Sequence, residues 1–263
     1  LKPFRLEPGR RAAAPSPARG AAPASRLMGQ NCATACCSED KPGMMQDQMT
    51  SQLVKSAPQS SDGPPADAKL TYFDREVPEM EAMPPSSSSR AESRPEHTFA
   101  SDARYLGQWR GNARDGFGVQ VWPDGAKYEG QWVGNCASGR GRFSHSDGDV
   151  YIGEWSQNVA HGRGVYYHKD CTTYAGTWSN DSQDGLGVET WLEGTRYAGT
   201  FRGGQKEGRG VYRWPNGSEY AGTWEGNAIN GRGEYSGGDG RLYKGSWTNS
   251  VIHGVGQYTW KNG

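Results

Sequence analysis

The sequence predicts an all-β protein: an elongated, twisted antiparallel sheet of stacked β-hairpins, preceded by a disordered N-terminal segment. The first observation is a Tyr-x-Gly-x-aromatic motif that recurs every 23 residues in seven copies, from Tyr105 to the last residue. The second is the alternation of side chains with a period of two inside each copy, which is typical of strands. The third is composition. Only 33% of residues are hydrophobic, but there are 39 glycines, 10 tryptophans and 13 tyrosines. A core must therefore be built from rings packed over glycine backbone.

The repeat keeps one register throughout. Each copy opens on tyrosine, has an aromatic residue at its fifth position and continues to a Gly-x-Gly, as in Gly116 and Gly118. We interpret the fourteen rings as structural core and not as a ligand site. The ring pairs are Tyr105 with Trp109, Tyr128 with Trp132, Tyr151 with Trp155, Tyr174 with Trp178, Tyr197 with Phe201, Tyr220 with Trp224, and Tyr243 with Trp247.

Each copy is predicted to be one hairpin. Tyr105, Gly107 and Trp109 stand at i, i+2 and i+4, so they share one face of a strand. A loop of about six polar residues is expected before a second strand, which ends at the turn signal in 122–125. We expect the glycines to let a tryptophan ring lie on the backbone of the neighbouring strand. Because a single hairpin is marginal in water, neighbouring copies must stack.

The repeat resembles a known family. Tyr128-Glu129-Gly130-Gln131-Trp132 followed by Gly139-Arg140-Gly141 closely resembles the MORN (membrane occupation and recognition nexus) repeat, and the resemblance covers residues 105–263. It implies hairpin sheets without catalytic activity that act in membrane-associated scaffolding, self-association and the binding of protein partners or phospholipids. It also implies a second use, because such arrays occur as regulatory modules of lipid kinases, methyltransferases and exchange factors.

Several copies depart from the pattern. Phe201 replaces tryptophan but keeps a ring, Gly237 replaces a second-strand aromatic residue, and Cys171 stands at the usual turn glycine. Gln120 and Glu189 occupy a position that holds a ring in other copies. Two interpretations of these two residues stay open: a polar part of an aromatic groove, or drift of the repeat.

The N-terminal part lacks apolar periodicity. Residues 1–27 are rich in Ala, Pro and Arg and are interpreted as disorder or as a translated leader upstream of Met28. Residues 38–104 are rich in Ser, Pro, Met and acidic residues and are predicted to be a disordered tether. Their one apolar patch, 70–73, has two interpretations: local docking, or simple membership of the tether. We favour the second.

Residues 28–37 resemble a dually acylated N-terminus. If translation starts at Met28, its removal exposes Gly29 for N-myristoylation, although the position that favours Ser or Thr holds Ala33. Palmitoylation would then supply the second chain needed for stable anchoring. The candidate acceptors are Cys32, Cys36 and Cys37. The alternative is an internal Met-Gly beside ordinary exposed thiols.

The charge and the cysteine content limit which partners and which cellular compartment the sequence favours. The formal net charge is zero, and residues 105–263 hold 16 basic and 16 acidic residues, which argues against nucleic acid as a partner. Five unevenly spaced cysteines favour a reducing, cytoplasmic setting. No cofactor, catalytic group or metal site is predicted. His145 and His168 lie ~10 Å apart in stacked repeats, too far to share a zinc ion.

The sequence therefore predicts a non-enzymatic, membrane-associated scaffold on the cytoplasmic face of the plasma membrane or cortex. Its expected partners are a protein, a second copy of itself, and phosphoinositide or another phospholipid, with the membrane held through the lipid anchor. The alternative is the regulatory part of a larger enzyme, such as a phosphatidylinositol phosphate kinase, cut after residue 263.

Overall fold

The computed structural model describes residues 71–86 and 88–262. These residues form one short helix, α1, and sixteen strands. The helix spans Val77–Ala82, and the strands β1 to β16 span Glu92–Ser93, His97–Thr98, Arg104–Arg110, Ala113–Val121, Lys127–Val133, Cys136–Ser144, Val150–Ser156, Val159–Tyr167, Thr173–Ser179, Ser182–Thr190, Arg196–Arg202, Gln205–Arg213, Glu219–Glu225, Ala228–Ser236, Leu242–Thr248 and Val251–Thr259.

All the strands belong to one antiparallel sheet, which confirms the predicted fold class. From β3 to β16 each strand is hydrogen-bonded to the next one in the chain, so every repeat is a hairpin and every hairpin pairs with its neighbours. The two short strands β1 and β2 both pair with β3. The N-terminal edge of the array is therefore partly covered by residues that precede the first repeat.

The hairpin loop differs from the expected six polar residues. Consecutive strands within a hairpin are separated by only two residues, as at Gly134 and Asn135, where φ is 53° and 70°. A two-residue turn with positive φ at both positions matches the twist of the flanking strands. The residues expected to be loop extend the second strand instead. A register shift between Gly130 and Trp132 accommodates them as a bulge.

The glycines do serve close packing, but the ring that lies on them is tyrosine and not tryptophan. The ring of Tyr128 covers the paired glycines Gly130 and Gly141, where an added Cβ would lie within 2.7 Å of the tyrosine Cζ. The Tyr128 hydroxyl donates to the carbonyl of Gln131 at 2.9 Å. Each tyrosine thus folds back over its own strand, and only glycine leaves room for it.

The rings form a continuous stack along one face of the sheet, here called the aromatic face. Tyr128 packs edge-to-face on Trp132 of its own repeat at 4.9 Å and on Trp155 of the next at 5.4 Å. The indole of Trp155 donates to the carbonyl of Gly141 at 3.2 Å. The stack continues to the last two repeats, where Trp224 and Trp247 both contact the ring of Tyr220, at 5.7 and 5.4 Å.

The fourteen repeat rings lie in the core. All fourteen are at most 5% exposed. Trp224 and Trp247, the tryptophans of the sixth and seventh copies, are each 3% exposed, so burial does not fade toward the C-terminal end of the array. These rings therefore belong to the core that the repeats form together with Phe73 and Met80.

Residues 71–104 differ from the predicted tether. They form α1, β1 and β2, and Phe73 and Met80 are buried in the same core as the repeat rings. The physical reason is that this segment docks on a surface already built by the repeats, so it needs no apolar period of its own. The residues expected to carry lipid, Gly29, Cys32, Cys36 and Cys37, lie outside the described residues, as do 38–70.

A ladder of turn side chains ties the repeats together. The second turn residue is asparagine in several copies, and the Oδ1 atoms of Asn135, Asn158 and Asn227 accept from a backbone N–H of the preceding hairpin at 2.7–2.8 Å. In the fourth copy this position is Asp181, which accepts from Ala160 at 2.7 Å. Burial raises the pKa of Asp181 to about 6 from 3.8.

We predict that Asp181→Asn stabilises the protein near neutral pH. The pKa of Asp181 is raised in the fold, so its contribution to stability is largest below the unfolded value and is lost as pH rises through about 6. The advantage of the asparagine variant over wild type should therefore grow between pH 4 and 6 and level off at ~3 kcal/mol. Urea unfolding at several pH values measures it. A difference that does not change with pH contradicts the assignment.

Candidate binding site on the aromatic face

The chain itself occupies the N-terminal part of the aromatic face. Residues 71–83, here called the strap, cross the first three repeats. The Phe73 ring lies among five aromatic rings with centroid distances of 5.3–5.8 Å. These rings are Trp122, Tyr128, Trp132, Phe143 and Trp155.

Phe73 docks where the first repeat lacks a ring. In the third and fifth repeats, the position that Gln120 holds in the first carries Tyr166 and Tyr212, which pack against the fifth-position ring of the next repeat at 5.9 and 5.7 Å. Phe73 makes the corresponding contact with Trp132 at 5.8 Å. The strap therefore supplies from outside the ring that this repeat omits.

Polar groups fix the strap beside that ring. The buried guanidinium of Arg114 donates to the Phe73 carbonyl at 2.7 Å and to Oε1 of Gln120 at 3.1 Å. Glu76 accepts from the indole of Trp122 at 3.3 Å, and Asp74 accepts from Asn158 at 3.1 Å.

Charge complements shape at this site. Burial lowers the pKa of Arg114 to about 10, and the negative charges of Glu76 and Asp74 oppose that shift. The strap carboxylates thus stabilise a cation that the repeats bury. The hydroxyl of Tyr72 also donates to Asp124 at the rim, and its ring packs on Trp122 and His145. The site accepts an aromatic residue followed by carboxylates.

The fourth repeat also lacks a ring at this position, and there a side chain of the repeat array itself fills the space. Glu189 replaces the ring in the fourth copy, and the ammonium of Lys206 bonds it at 2.7 Å. The same ammonium lies 4.8 Å from the Trp191 ring centroid, 5.3 Å from that of Tyr197 and 5.8 Å from that of Phe201. These three rings hold the same repeat positions as Trp122, Tyr128 and Trp132, which surround Phe73, but lie three repeats further along the chain. Lys206 therefore takes the place that Phe73 takes in the first site.

The histidines act as ring substitutes at the rim. His145 packs on Phe143 at 4.8 Å, and His168 packs on Tyr166 at 4.5 Å and contacts Asp149 at 3.0 Å. Across residues 71–86 and 88–262, no group of three or more potential ligands could hold a metal ion. In the same part of the chain, no helix is long and apolar enough to cross a bilayer.

The fold and its unit define a repeat protein built from stacked β-hairpins. The MORN repeat family model matches residues 105–127, 128–150, 151–170, 174–196, 197–219, 220–240 and 243–263. The chain belongs to the MORN-repeat family. No curated protein sequence matches it.

Solved structures share only a loose likeness. The Drosophila melanogaster SAS-4 (dCPAP) TCP domain, in complex with a proline-rich motif of Ana2 (dSTIL), is 17% identical with a TM-score of 0.37 over 69% of this chain and 92% of that one. The Danio rerio CPAP TCP10 domain, in complex with a STIL peptide, is 18% identical with a TM-score of 0.33 over 57% of this chain and 62% of that one.

Proposed function

We propose that this protein is a non-enzymatic scaffold that binds protein segments on the aromatic face of its repeat sheet. The observation that carries the proposal is the docking of Phe73 among five rings, with Arg114, Trp122 and Asn158 bonding the strap beside it. A surface that orders one peptide segment through a ring and two carboxylates has the chemistry to bind another of the same kind. Self-association would follow if the strap of one copy docked on a second copy.

A peptide of residues 70–83 tests the proposal on the full chain. In Phe73→Ala the covalently attached strap should be released, because removing a buried ring costs ~3 kcal/mol or more. The variant should then bind the added peptide, whereas wild type, whose site is filled, should bind it at least about tenfold more weakly. Fluorescence anisotropy with labelled peptide measures both. The matched control peptide carries Phe73→Ala. Equal binding of the wild-type peptide and the control peptide to the Phe73→Ala variant would refute the proposal.

We further propose that the scaffold is held at the cytoplasmic face of a membrane. The supporting observation is Gly29 after Met28 with Cys32, Cys36 and Cys37 close behind. A chain begun at Met28 should enter the membrane fraction, Gly29→Ala should not, and Cys32→Ser should be partly released. A chain begun at Met28 that stays in the supernatant refutes the anchor. Vesicles containing phosphoinositide test direct lipid binding by the Gly29→Ala variant.

The alternative function is regulation in cis of an enzymatic domain, such as a phosphatidylinositol phosphate kinase, as the family resemblance implies. The complete transcript discriminates between the two proposals. A kinase domain encoded after residue 263 supports the alternative, and a stop codon there supports the scaffold.

A further inference from the structure

The face of the sheet that points away from the rings, here called the outer face, carries its own pattern. One position on the second strand of each repeat is exposed in every copy and is read in order as Phe, Arg, Arg, Leu, Arg, Arg, Val. The exposed fractions of its apolar members are 59%, 71% and 89% for Phe117, Leu186 and Val255. The seven residues are Phe117, Arg140, Arg163, Leu186, Arg209, Arg232 and Val255. An apolar residue thus recurs at every third repeat, with two arginines between.

Three of these arginines lack an acidic partner within the described part of the chain. Arg163, Arg209 and Arg232 face Thr177, Thr223 and Ser246 across the ladder. Among the described residues, none of the three guanidinium groups has an acidic oxygen within 4.0 Å, whereas other basic side chains of this face are paired: Lys127 with Glu129, Arg213 with Glu219, and Lys244 with Glu234.

A smooth apolar band runs beside the arginines. One row of cross-strand pairs on this face consists of Ile, Val and Ala side chains from β7 to β13, in the order Ile152, Val165, Ala175, Val188, Ala198, Val211 and Ala221. Six strand spacings make the band ~29 Å long. Its side chains are half-buried or exposed and have no other layer of the described chain over them.

We propose that the outer face between β8 and β14 is a second docking surface, for an acidic protein segment with apolar residues between its carboxylates. Equivalent positions in adjacent repeats are two strands, or ~10 Å, apart. That distance is close to the ~9 Å between carboxylates three residues apart in a polyproline II segment, which has three residues per turn and so presents both on one side. Guanidinium groups bind carboxylates in a bidentate manner, and the Val and Ala band receives the apolar residues between them.

The observations favour a protein segment over an anionic membrane. Acidic residues share the outer face with the arginines, among them Glu154, Glu219 and Glu234, so the face is not uniformly basic. A lipid surface is attracted by summed positive charge, and the two lysines named on this face are neutralised by ion pairs. Spaced arginines beside a flat apolar strip suit separate carboxylates on one chain.

The test uses a fluorescein-labelled peptide of about 15 residues in which Glu-Val-Pro is repeated, a sequence that favours polyproline II and so places its carboxylates ~9 Å apart on one side. Binding to the full chain is followed by anisotropy. We expect Arg163→Glu with Arg209→Glu to weaken binding at least about tenfold, because each reversal replaces attraction by repulsion. Leu186→Asp should weaken it as well. The matched control is Lys169→Glu with Lys261→Glu, which reverses two exposed charges in turns and should change the affinity less than about twofold.

Other variants separate this surface from the aromatic face. Phe73→Ala alters the strap site only and should leave binding of the acidic peptide unchanged, so failure at one face is distinguishable from failure at the other. Undetectable binding by wild type, or binding that survives the arginine reversals, overturns the proposal. It is also overturned if phosphatidylserine vesicles bind with the same arginine dependence while the peptide does not.

Discussion

Gly187→Ala is expected to destabilise the protein by about 3 kcal/mol. An added Cβ would lie 2.6 Å from Cζ and 2.5 Å from Oη of Tyr174. The tyrosine has nowhere to move, because it packs on Trp178 at 5.1 Å and on Phe201 at 5.0 Å. The methyl group must therefore push apart the ring stack or the strands. Urea unfolding of the two proteins gives the difference.

Gly237→Ala is the matched control for this change. Gly237 stands where other repeats carry tryptophan or histidine, and its added Cβ would meet chiefly the side chain of Asp239, which can move. We expect the free energy of unfolding to change by no more than about 0.5 kcal/mol, since the methyl group also reduces the entropy of the unfolded chain. Equal losses for the two alanine variants would show that the glycines serve backbone freedom in general and not the tyrosine ring.

Lys206→Ala is expected to cost about 3 kcal/mol, because it leaves Glu189 largely buried without its partner. The side chains of Glu189 and Lys206 are only 14% and 11% exposed. The double variant Glu189→Tyr with Lys206→Ala should recover this loss. It recreates the combination of the second repeat and its neighbour, where Phe143 packs close to Trp155 and Ala160 is small and buried.

Thermal and urea unfolding of wild type, the two single variants and the double variant form a cycle that isolates the coupling. We expect the free energy of unfolding of the double variant to lie within about 1 kcal/mol of the wild-type value or above it, because a well-packed ring can replace a buried ion pair without loss of stability. A double variant no more stable than Lys206→Ala would show that Glu189 and Lys206 do not replace a ring.

The fold could be predicted because the same hairpin motif occurs seven times in one register. A tyrosine, a glycine and a second ring at alternate positions define one strand face, and the fixed interval defines the hairpin and its stacking. The turn was harder to predict. Gly134 and Asn135 are a strong signal for a tight turn, but the following residues are polar and resemble loop, although the bulge places Ala137 in the core.

The candidate site could be predicted only in part. Gln120 and Glu189 stand out in the sequence as missing rings, but nothing in it shows what replaces them. Phe73 lies 47 positions before Gln120 in a Ser- and Pro-rich stretch, and a single docking residue has no period to detect. Lys206 belongs to the next repeat, so its pairing with Glu189 depends on the stacking. The row of arginines on the outer face becomes visible only when the seven copies are aligned in register.

The binding site on the aromatic face exists because the first repeat carries Gln120 where other repeats carry a ring. Hydrogen exchange of residues 72–83 in Gln120→Tyr tests this statement directly, with Glu189→Tyr as the same change at the position that the strap does not touch. We expect the introduced tyrosine to fill the place of Phe73, so the strap loses its protection in Gln120→Tyr and keeps it in Glu189→Tyr. Unchanged protection of the strap in Gln120→Tyr would contradict the statement that the missing ring of the first repeat creates the site.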